Sequence, residues 1–220
     1  MKSGTVVTLA VVVGCLGLAG PLAARAQDSF DEDLNTVRDA WAIASYRSAK
    51  DQRLAAFERL RADAAALSAK YPNRAEALIW DGIVLSSYAG VRGGLGALGP
   101  ARDAKARFEL ALDLDEIALG GAAHTSLGAL YHRVPGFPIS FGSDAKARVH
   151  LEKALEINPN GIDPNYLYGE LLFDEGEYAR AQEHLQRALR APPRPGREIA
   201  DEGRREEVRV LLARTGEEMN

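Results

Sequence analysis

Small and large apolar residues alternate in a recurring pattern along the second half of the chain. In three segments an alanine is followed four residues later by a large apolar residue and, three residues after that, by another alanine. The members are Ala104, Phe108 and Ala111; Ala147, Leu151 and Ala154; and Ala181, Leu185 and Ala188. These intervals place all three side chains of a segment on one face of an α-helix. The small residues would let a neighbouring helix approach closely, and the large residue would fill the remaining space.

Each of these helices follows another helical segment that contains a glycine. In the last unit Gly169 lies twelve residues before Ala181, and Pro193 follows the second alanine. This order of small, large and proline positions is typical of the tetratricopeptide repeat, which is about 34 residues long. The corresponding glycines of the two preceding units are Gly82 and Gly128. The pattern predicts an all-α, tetratricopeptide-like helical-repeat array (an α-solenoid) without β-strands.

The same pattern divides residues 27–220 into four helix pairs and a final helix. The predicted pairs cover about 30–72, 74–116, 120–159 and 162–193, and a polar capping helix covers about 197–214. Asp163 and Pro164 indicate a helix start, with Asp163 as the N-cap. The spacing from glycine to alanine is 12 residues in the last pair but 19 and 22 in the two before it. We therefore expect insertions of 7 and 10 residues between the paired helices.

The insertion of the third pair, Val134–Gly142, is one candidate binding segment. It contains Phe137, Pro138 and Phe141. Prolines reduce the entropy lost when a loop becomes ordered, and aromatic side chains supply most of the area of a contact. Insertions in repeat proteins often project from the binding face. The composition fits equally a loop that presents these residues to a partner and one that packs back onto its own array.

The insertion of the second pair, Val91–Gly99, is rich in glycine and contains Arg92 and Leu95. Its composition is consistent with a mobile lid and with a loose loop. Gly94, Gly96 and Gly99 fit the pattern G-x-G-x-x-G, but a dinucleotide site needs this run to follow a strand. A helical segment precedes it here, so the pattern does not predict a cofactor site.

The remaining polar residues give no catalytic or metal-binding constellation. His124 and His132 are eight residues apart, which exceeds the four-residue spacing of a helical zinc pair. His132 is expected to hydrogen-bond nearby backbone. His150 and His184 occupy the same repeat position and are expected to have a repeated surface role. The sequence contains no nucleophile elbow and no P-loop. We therefore expect a protein that is not an enzyme and that has no cofactor and no metal.

The N-terminus has the three-part pattern of a secretory signal peptide. A short segment containing Lys2 precedes the apolar run 5–20, and Ala24-Arg25-Ala26 supplies a cleavage site. We expect residues 1–26 to be removed by cleavage after Ala26; the alternatives are an uncleaved membrane anchor and a lipoprotein attached through Cys15. Cleavage would leave no cysteine and would change the net charge from −4 to −6. Such an acidic chain is not expected to bind nucleic acid or anionic lipid.

Four stretches of the chain resemble one known family, the T component of tripartite ATP-independent periplasmic (TRAP) transporters. They are Ser87–Leu95, Leu127–Pro138 with Phe141 and Gly142, Asn160–Tyr166 and Ala191–Arg197. The resemblance implies a non-enzymatic periplasmic repeat protein that associates with a substrate-binding protein of the transporter. It also implies a homotrimer and a cavity for a hydrophobic small molecule.

The residues expected to contact a partner or ligand are Arg92, Leu95, Phe137, Pro138, Phe141 and Tyr166. The alternative to a transporter accessory is a general cell-envelope scaffold, or an assembly lipoprotein, that binds peptide segments of other proteins along its array.

Overall fold

The computed structural model describes residues 21–220, and this part of the chain consists of α-helices joined by short connections. The helices are α1 (Pro21–Tyr46), α2 (Arg53–Lys70), α3 (Ala75–Arg92), α4 (Leu98–Leu114), α5 (Ala118–Arg133), α6 (Asp144–Ile157), α7 (Ile162–Asp174), α8 (Tyr178–Leu189) and α9 (Glu198–Glu218). Cys15 and residues 1–20 of the expected signal peptide lie outside the described residues, and residues 21–26 belong to α1. Among the helices so described, none combines the length and the apolar character needed to cross a membrane.

The helices form four consecutive pairs, followed by α9. The odd-numbered helices contact one another in chain order and form an inner layer, and the even-numbered helices pack outside them. Over residues 21–220 the only strand-like feature is a single bridge between Gly136 and Gly142. The predicted all-α helical-repeat fold is therefore confirmed.

The predicted apolar face lies at the contact between paired helices. All nine of its alanine and large apolar residues are completely buried. Each large residue packs against the glycine of the first helix in its pair: Phe108 against Gly82, Leu151 against Gly128 and Leu185 against Gly169. The absent side chain on the glycine is what lets the two helices approach, and burial of each large residue contributes about 1.5–3 kcal/mol.

The insertion expected in the second pair does not form a long projecting loop, because only residues 93–97 connect α3 to α4. The additional residues lengthen the helices instead: α3 and α4 have 18 and 17 residues, whereas α7 and α8 have 13 and 12. The connection that remains is Gly93, Gly94 and the short 3-10 helix Leu95–Ala97. Helical continuation satisfies the backbone hydrogen bonds that an exposed loop would leave to water. Only the third pair keeps a long connection, hereafter the 134–142 loop.

The last helix extends beyond the predicted cap and has a second role. It contacts α8 and α7 as the next member of the array would, and it also contacts α1. The inner layer of odd-numbered helices therefore closes on itself. The interpretation of Asp163 as an N-cap is wrong, because Gly161 holds the N-cap position of α7 and the carboxylate of Asp163 pairs with arginines instead.

Candidate functional site

The 134–142 loop is anchored at its base and exposed at its tip. The Ser143 amide donates a hydrogen bond to the Tyr131 carbonyl at 2.8 Å, and the Gly142 amide donates one to the Pro135 carbonyl at 3.0 Å. The Phe141 ring packs edge-on against Tyr131, with centroids 5.7 Å apart. Phe141 therefore packs back onto the array, whereas the tip of the loop faces outward.

The tip of this loop is apolar and unusually exposed. Phe137 is 93% exposed and Ile139 is 56% exposed. Pro138 lies between them. Leu95 is 82% exposed in the neighbouring connection between α3 and α4. Because α3 and α5 occupy the same position in successive helix pairs, both connections lie at the same edge of the array. The exposed residues Leu95, Phe137 and Ile139 are hereafter the apolar edge.

Arg92, at the end of α3, is folded back onto its own helix. Its guanidinium donates a hydrogen bond to the Tyr88 hydroxyl at 2.5 Å, and the guanidinium carbon lies 5.7 Å from the Tyr88 ring centroid. The structure thus places Arg92 beside the apolar edge, with part of its hydrogen-bonding capacity already used.

Tyr166 lies in a different region from the other five predicted contact residues. It is buried in α7, and the guanidinium carbon of Arg204 lies 4.6 Å from its ring centroid. Burial, together with the negative charge of nearby Glu170, raises the pKa of Tyr166 to about 12. The ring is therefore mostly buried where α7 meets α9, and Tyr166 also lines the groove between α1, α7 and α9 that is described below.

A cluster of ion pairs surrounds Tyr166 and holds α9 in place. Asp163 accepts hydrogen bonds from Arg194 at 2.6 Å and from Arg204 at 2.8 Å, and Arg194 also pairs with Asp201 at 2.6 Å. Burial alone would raise the pKa of Asp163, but attraction to Arg204 and Arg194 outweighs it and holds that pKa well below its usual range. The cluster joins α7, the proline-rich segment after α8, and α9.

Contacts between α9 and α1 complete the closure. The Tyr46 ring lies directly against Gly203, where an added Cβ would come within 2.2 Å of the ring, and the Tyr46 hydroxyl donates to Glu207 at 3.4 Å. Arg47 pairs with Glu202 at 2.5 Å. These partners are more than 150 residues apart in the chain, and no local sequence pattern connects them.

The closed array leaves an open groove of about 780 Å³ between the end of α1, α7 and α9. It is lined by apolar residues such as Ile199 and Leu211 and by charged side chains of both signs. Its carboxylates are paired within the protein: Glu170 with Arg133, Asp174 with His132, Glu202 with Arg47, Glu206 with Arg209, and Glu207 with Arg204. Two lining arginines, Arg53 and Arg214, form no salt bridge within residues 21–220. The Arg53 guanidinium donates instead to the Ser48 carbonyl at 3.4 Å, and the Arg214 guanidinium carbon lies 4.7 Å from the Phe173 ring centroid.

The histidines make side-chain contacts that sequence reasoning did not anticipate. His132 hydrogen-bonds Asp144 at 2.8 Å and Asp174 at 2.9 Å, so the expected backbone contact is wrong. His150 and His184 are half-buried rather than at the surface, and each packs against a tyrosine, Tyr131 and Tyr168 respectively. Within the described part of the chain, no three metal-ligating side chains converge on one point.

The Nδ1 atoms of His124 and His150 are 2.9 Å apart. One signal for this pair is present in the sequence: His124 lies one helical turn before Gly128, and His150 is next to Leu151, the residue that packs on that glycine. The position of Arg204 beside Asp163, by contrast, has no such signal.

A family model and one solved structure agree with this architecture. A family model for the tetratricopeptide repeat matches residues 145–201. The fold is similar to the crystal structure of a thermophilic tetratricopeptide protein from Thermus thermophilus, with a TM-score of 0.56 and 15% identity over 84% of this chain and 98% of that one. A structure of PilF from Pseudomonas aeruginosa aligns with a TM-score of 0.37 and 17% identity over 86% of this chain and 90% of that one.

No curated protein sequence matches the chain. The repeat match and the Thermus structure concern the fold, and they agree with the paired helices described above. The chain is therefore an all-α protein built as a tetratricopeptide-like helical-repeat array.

Proposed function

We propose that this protein is a non-enzymatic periplasmic binding protein that acts as the accessory T component of a TRAP transporter. In this role it is exported by a signal peptide cleaved after Ala26 and associates with the substrate-binding protein of the transporter. The support is the resemblance of four stretches to that family, together with a repeat architecture of the kind that commonly holds protein partners.

The observation that carries the proposal is the exposure of Phe137 at the tip of an anchored loop. A large aromatic side chain exposed to water on a firmly held loop is suited to insert into a pocket of a partner, where aromatic residues supply much of the binding energy. The loop also belongs to one of the stretches that carry the family resemblance. Leu95 on the adjacent connection extends the same apolar edge.

Capture from periplasmic extract tests this proposal. The tagged protein should retain a transporter substrate-binding protein, and Phe137→Ser should reduce its recovery at least tenfold, since a central aromatic contact contributes about 2 kcal/mol or more. Leu110→Ser is the matched control, because Leu110 is an exposed apolar residue of α4 outside the apolar edge. Recovery of envelope assembly factors alone would refute the transporter role.

The resemblance extends the proposal to a homotrimer and to a hydrophobic small-molecule ligand. Light scattering of the purified protein tests the first, and native mass spectrometry of protein purified from its own periplasm tests both. The lipoprotein alternative, with Cys15 as the attachment point, is distinguished by the intact mass of the mature protein.

The groove favours a second candidate function, a general envelope scaffold that binds peptide segments. Arg53 and Arg214 face it without an internal carboxylate partner, so an acidic segment would supply the missing charge. In that case the double variant Arg53→Gln, Arg214→Gln should weaken capture of partners in a salt-dependent manner, whereas Phe137→Ser should leave it unchanged. The opposite result would favour the transporter accessory.

A further inference from the structure

Two histidines on adjacent helices face each other through the same ring atom. The Nδ1 of His124 in α5 lies 2.9 Å from the Nδ1 of His150 in α6, and the other nitrogen of His124, Nε2, lies 3.0 Å from a carboxylate oxygen of Glu116. His124 is buried and His150 is half-buried. A hydrogen bond between two such nitrogens requires that one carries the proton and the other does not.

The contact therefore limits how many protons the pair can hold. One additional proton is compatible with it, because a protonated His124 could donate from Nε2 to Glu116 and from Nδ1 to the free lone pair of His150. A second additional proton would place two N–H groups head to head within hydrogen-bonding distance. Since neither could accept, full protonation of the pair must separate the rings.

The surroundings of His150 oppose that second proton. Burial lowers the pKa of His150 most, and the charge of His124 lowers it further; the opposing effect of Glu109 comes next, ahead of the separate lowering effects of Lys105 and Lys146. Tyr131, the remaining polar neighbour, stacks on the His150 ring at an interplanar angle of 10°. Because the pKa of His150 is lowered in the folded protein, its contribution to stability is fully present above the unfolded-state pKa of 6.5. That contribution is lost as pH falls through the lower folded-state pKa.

The stacked tyrosine connects the pair to the 134–142 loop. Tyr131 packs on His150 on one side and contacts the edge of Phe141 on the other, with centroid distances of 5.6 and 5.7 Å. Its carbonyl also accepts the hydrogen bond from the Ser143 amide that closes the loop. Separation of His150 from His124 would thus remove the support of the aromatic contact that anchors the loop.

We propose that full protonation of the His124–His150 pair loosens the 134–142 loop and so regulates the surface that presents Phe137. The proposal rests on the binding role proposed for that loop, but its structural part concerns the isolated protein. Mild acid would convert the loop from an anchored to a mobile state, and partner binding through Phe137 would weaken accordingly.

The test is a pH titration of the exported protein by NMR, observing the His150 ring, the Ile139 methyl groups at the loop tip and the Ile79 methyl groups in the buried core of α3. We expect the Ile139 signals to shift together with the His150 ring, with a midpoint below pH 6.5, while the Ile79 signals stay constant. In His150→Gln the Ile139 shift should be lost.

His184→Gln is the matched control, because His184 occupies the same repeat position and packs on Tyr168 but hydrogen-bonds Asn165 instead of another histidine. It should keep the Ile139 shift. An Ile139 shift that persists in His150→Gln, or wild-type Ile139 signals that stay constant while His150 titrates, would overturn the proposal. If His150→Gln does not fold, the wild-type curves still decide, since different midpoints for His150 and Ile139 exclude the coupling.

This titration needs no partner, so its outcome is independent of the capture experiment at neutral pH. Capture can fail while the loop still responds to acid, and the loop can fail to respond while capture succeeds.

Discussion

Gly128 of α5 lies directly beneath Leu151 of α6, so close that a Cβ built on the glycine would be 2.4 Å from Leu151 Cγ. The backbone carbonyl oxygen of Ala147 lies 3.2 Å from the same point, so an added Cβ would also crowd backbone that cannot rotate away. The equivalent distance at Gly169 is 2.9 Å, from Leu185. The second, third and fourth helix pairs are therefore held at a spacing that glycine allows and an added Cβ would obstruct.

Gly128→Ala should consequently destabilise the protein. Overpacking of a closely packed core costs about 1–3 kcal/mol, which exceeds the gain of about 0.5–1 kcal/mol expected for alanine over glycine in a helix. Urea unfolding followed by circular dichroism would measure the difference. Gly90→Ala is the control, because Gly90 lies within α3 and an added Cβ would have no atom within 4 Å. It should be neutral or stabilising, and equal effects at the two positions would contradict the packing argument.

Removal of the carboxylate of Asp163 should open the contact between α7 and α9. Asp163→Asn would leave Arg194 and the largely buried Arg204 without their shared counter-charge, which costs on the order of 3 kcal/mol for a partly buried pair. Glu206→Gln is the comparison, since the Glu206–Arg209 pair is mostly exposed and is expected to contribute about 0–1 kcal/mol. Thermal unfolding of both variants would show whether the cluster stabilises the closure.

The pH dependence of the Asp163 contribution has a defined sign. Because the folded-state pKa is lowered, the stabilisation is complete above the unfolded value of 3.8 and is lost only as pH falls through the lower folded value. The difference in unfolding free energy between wild type and Asp163→Asn should therefore be constant from neutral pH down to about pH 5 and should shrink only in stronger acid. A difference that already shrinks near neutral pH would assign the effect to another group.

His132 should show the opposite dependence. Burial alone would lower its pKa, but hydrogen bonds to Asp144 and Asp174 outweigh burial, so the pKa is raised above 6.5. Its contribution is then fully present below pH 6.5 and is lost as pH rises through the raised folded value. Compared with wild type, His132→Gln should lower the melting temperature more at about pH 5.5 than at about pH 9.

His184→Gln provides a comparison for that experiment. Burial and the nearby Arg187 and Arg180 lower the pKa of His184, so protonation on acidification opposes folding there. His184→Gln should therefore lower the melting temperature less at low pH than at high pH. The same trend in both variants would show that the bridging contacts of His132 do not determine its titration.

The two phenylalanines of the 134–142 loop should respond differently to truncation. Phe137→Ala should change stability by less than about 0.5 kcal/mol, because the side chain is exposed. Phe141→Ala removes the half-buried ring that packs on Tyr131 and should cost about 1–2 kcal/mol, less than a fully buried phenylalanine. Hydrogen exchange at the Ser143 amide reports the difference, since that amide closes the loop. Equal protection in the two variants would contradict the anchoring role of Phe141.

The sequence by itself determined the fold class and the contact within the second, third and fourth helix pairs. The alanine, large and alanine positions and the preceding glycines are local patterns with helical period, and each identifies the buried face of its own helix without reference to distant residues. The loop with Phe137 was predicted for the same reason, since prolines and glycines interrupt a helix locally, but the sequence left open whether it projects or packs back onto the array. The sequence did not indicate whether additional residues would form a loop or extend the flanking helices. The additional residues between Gly82 and Ala104 extend α3 and α4.

Only the tertiary structure decided the closure of the array and the pairing of its charges. Tyr46 meets Glu207 because small rotations between successive helix pairs accumulate until α9 reaches α1. Asp163 meets Arg204 because α9 packs beside α7 as the next inner helix. Ion pairs also leave no periodic pattern in the sequence. From the sequence alone, any arginine of the C-terminal helix could be the partner of Asp163. The contact between His124 and His150 depends on both. The sequence pattern of the helix pair places the two side chains side by side, and the tertiary packing sets the 2.9 Å distance between their Nδ1 atoms.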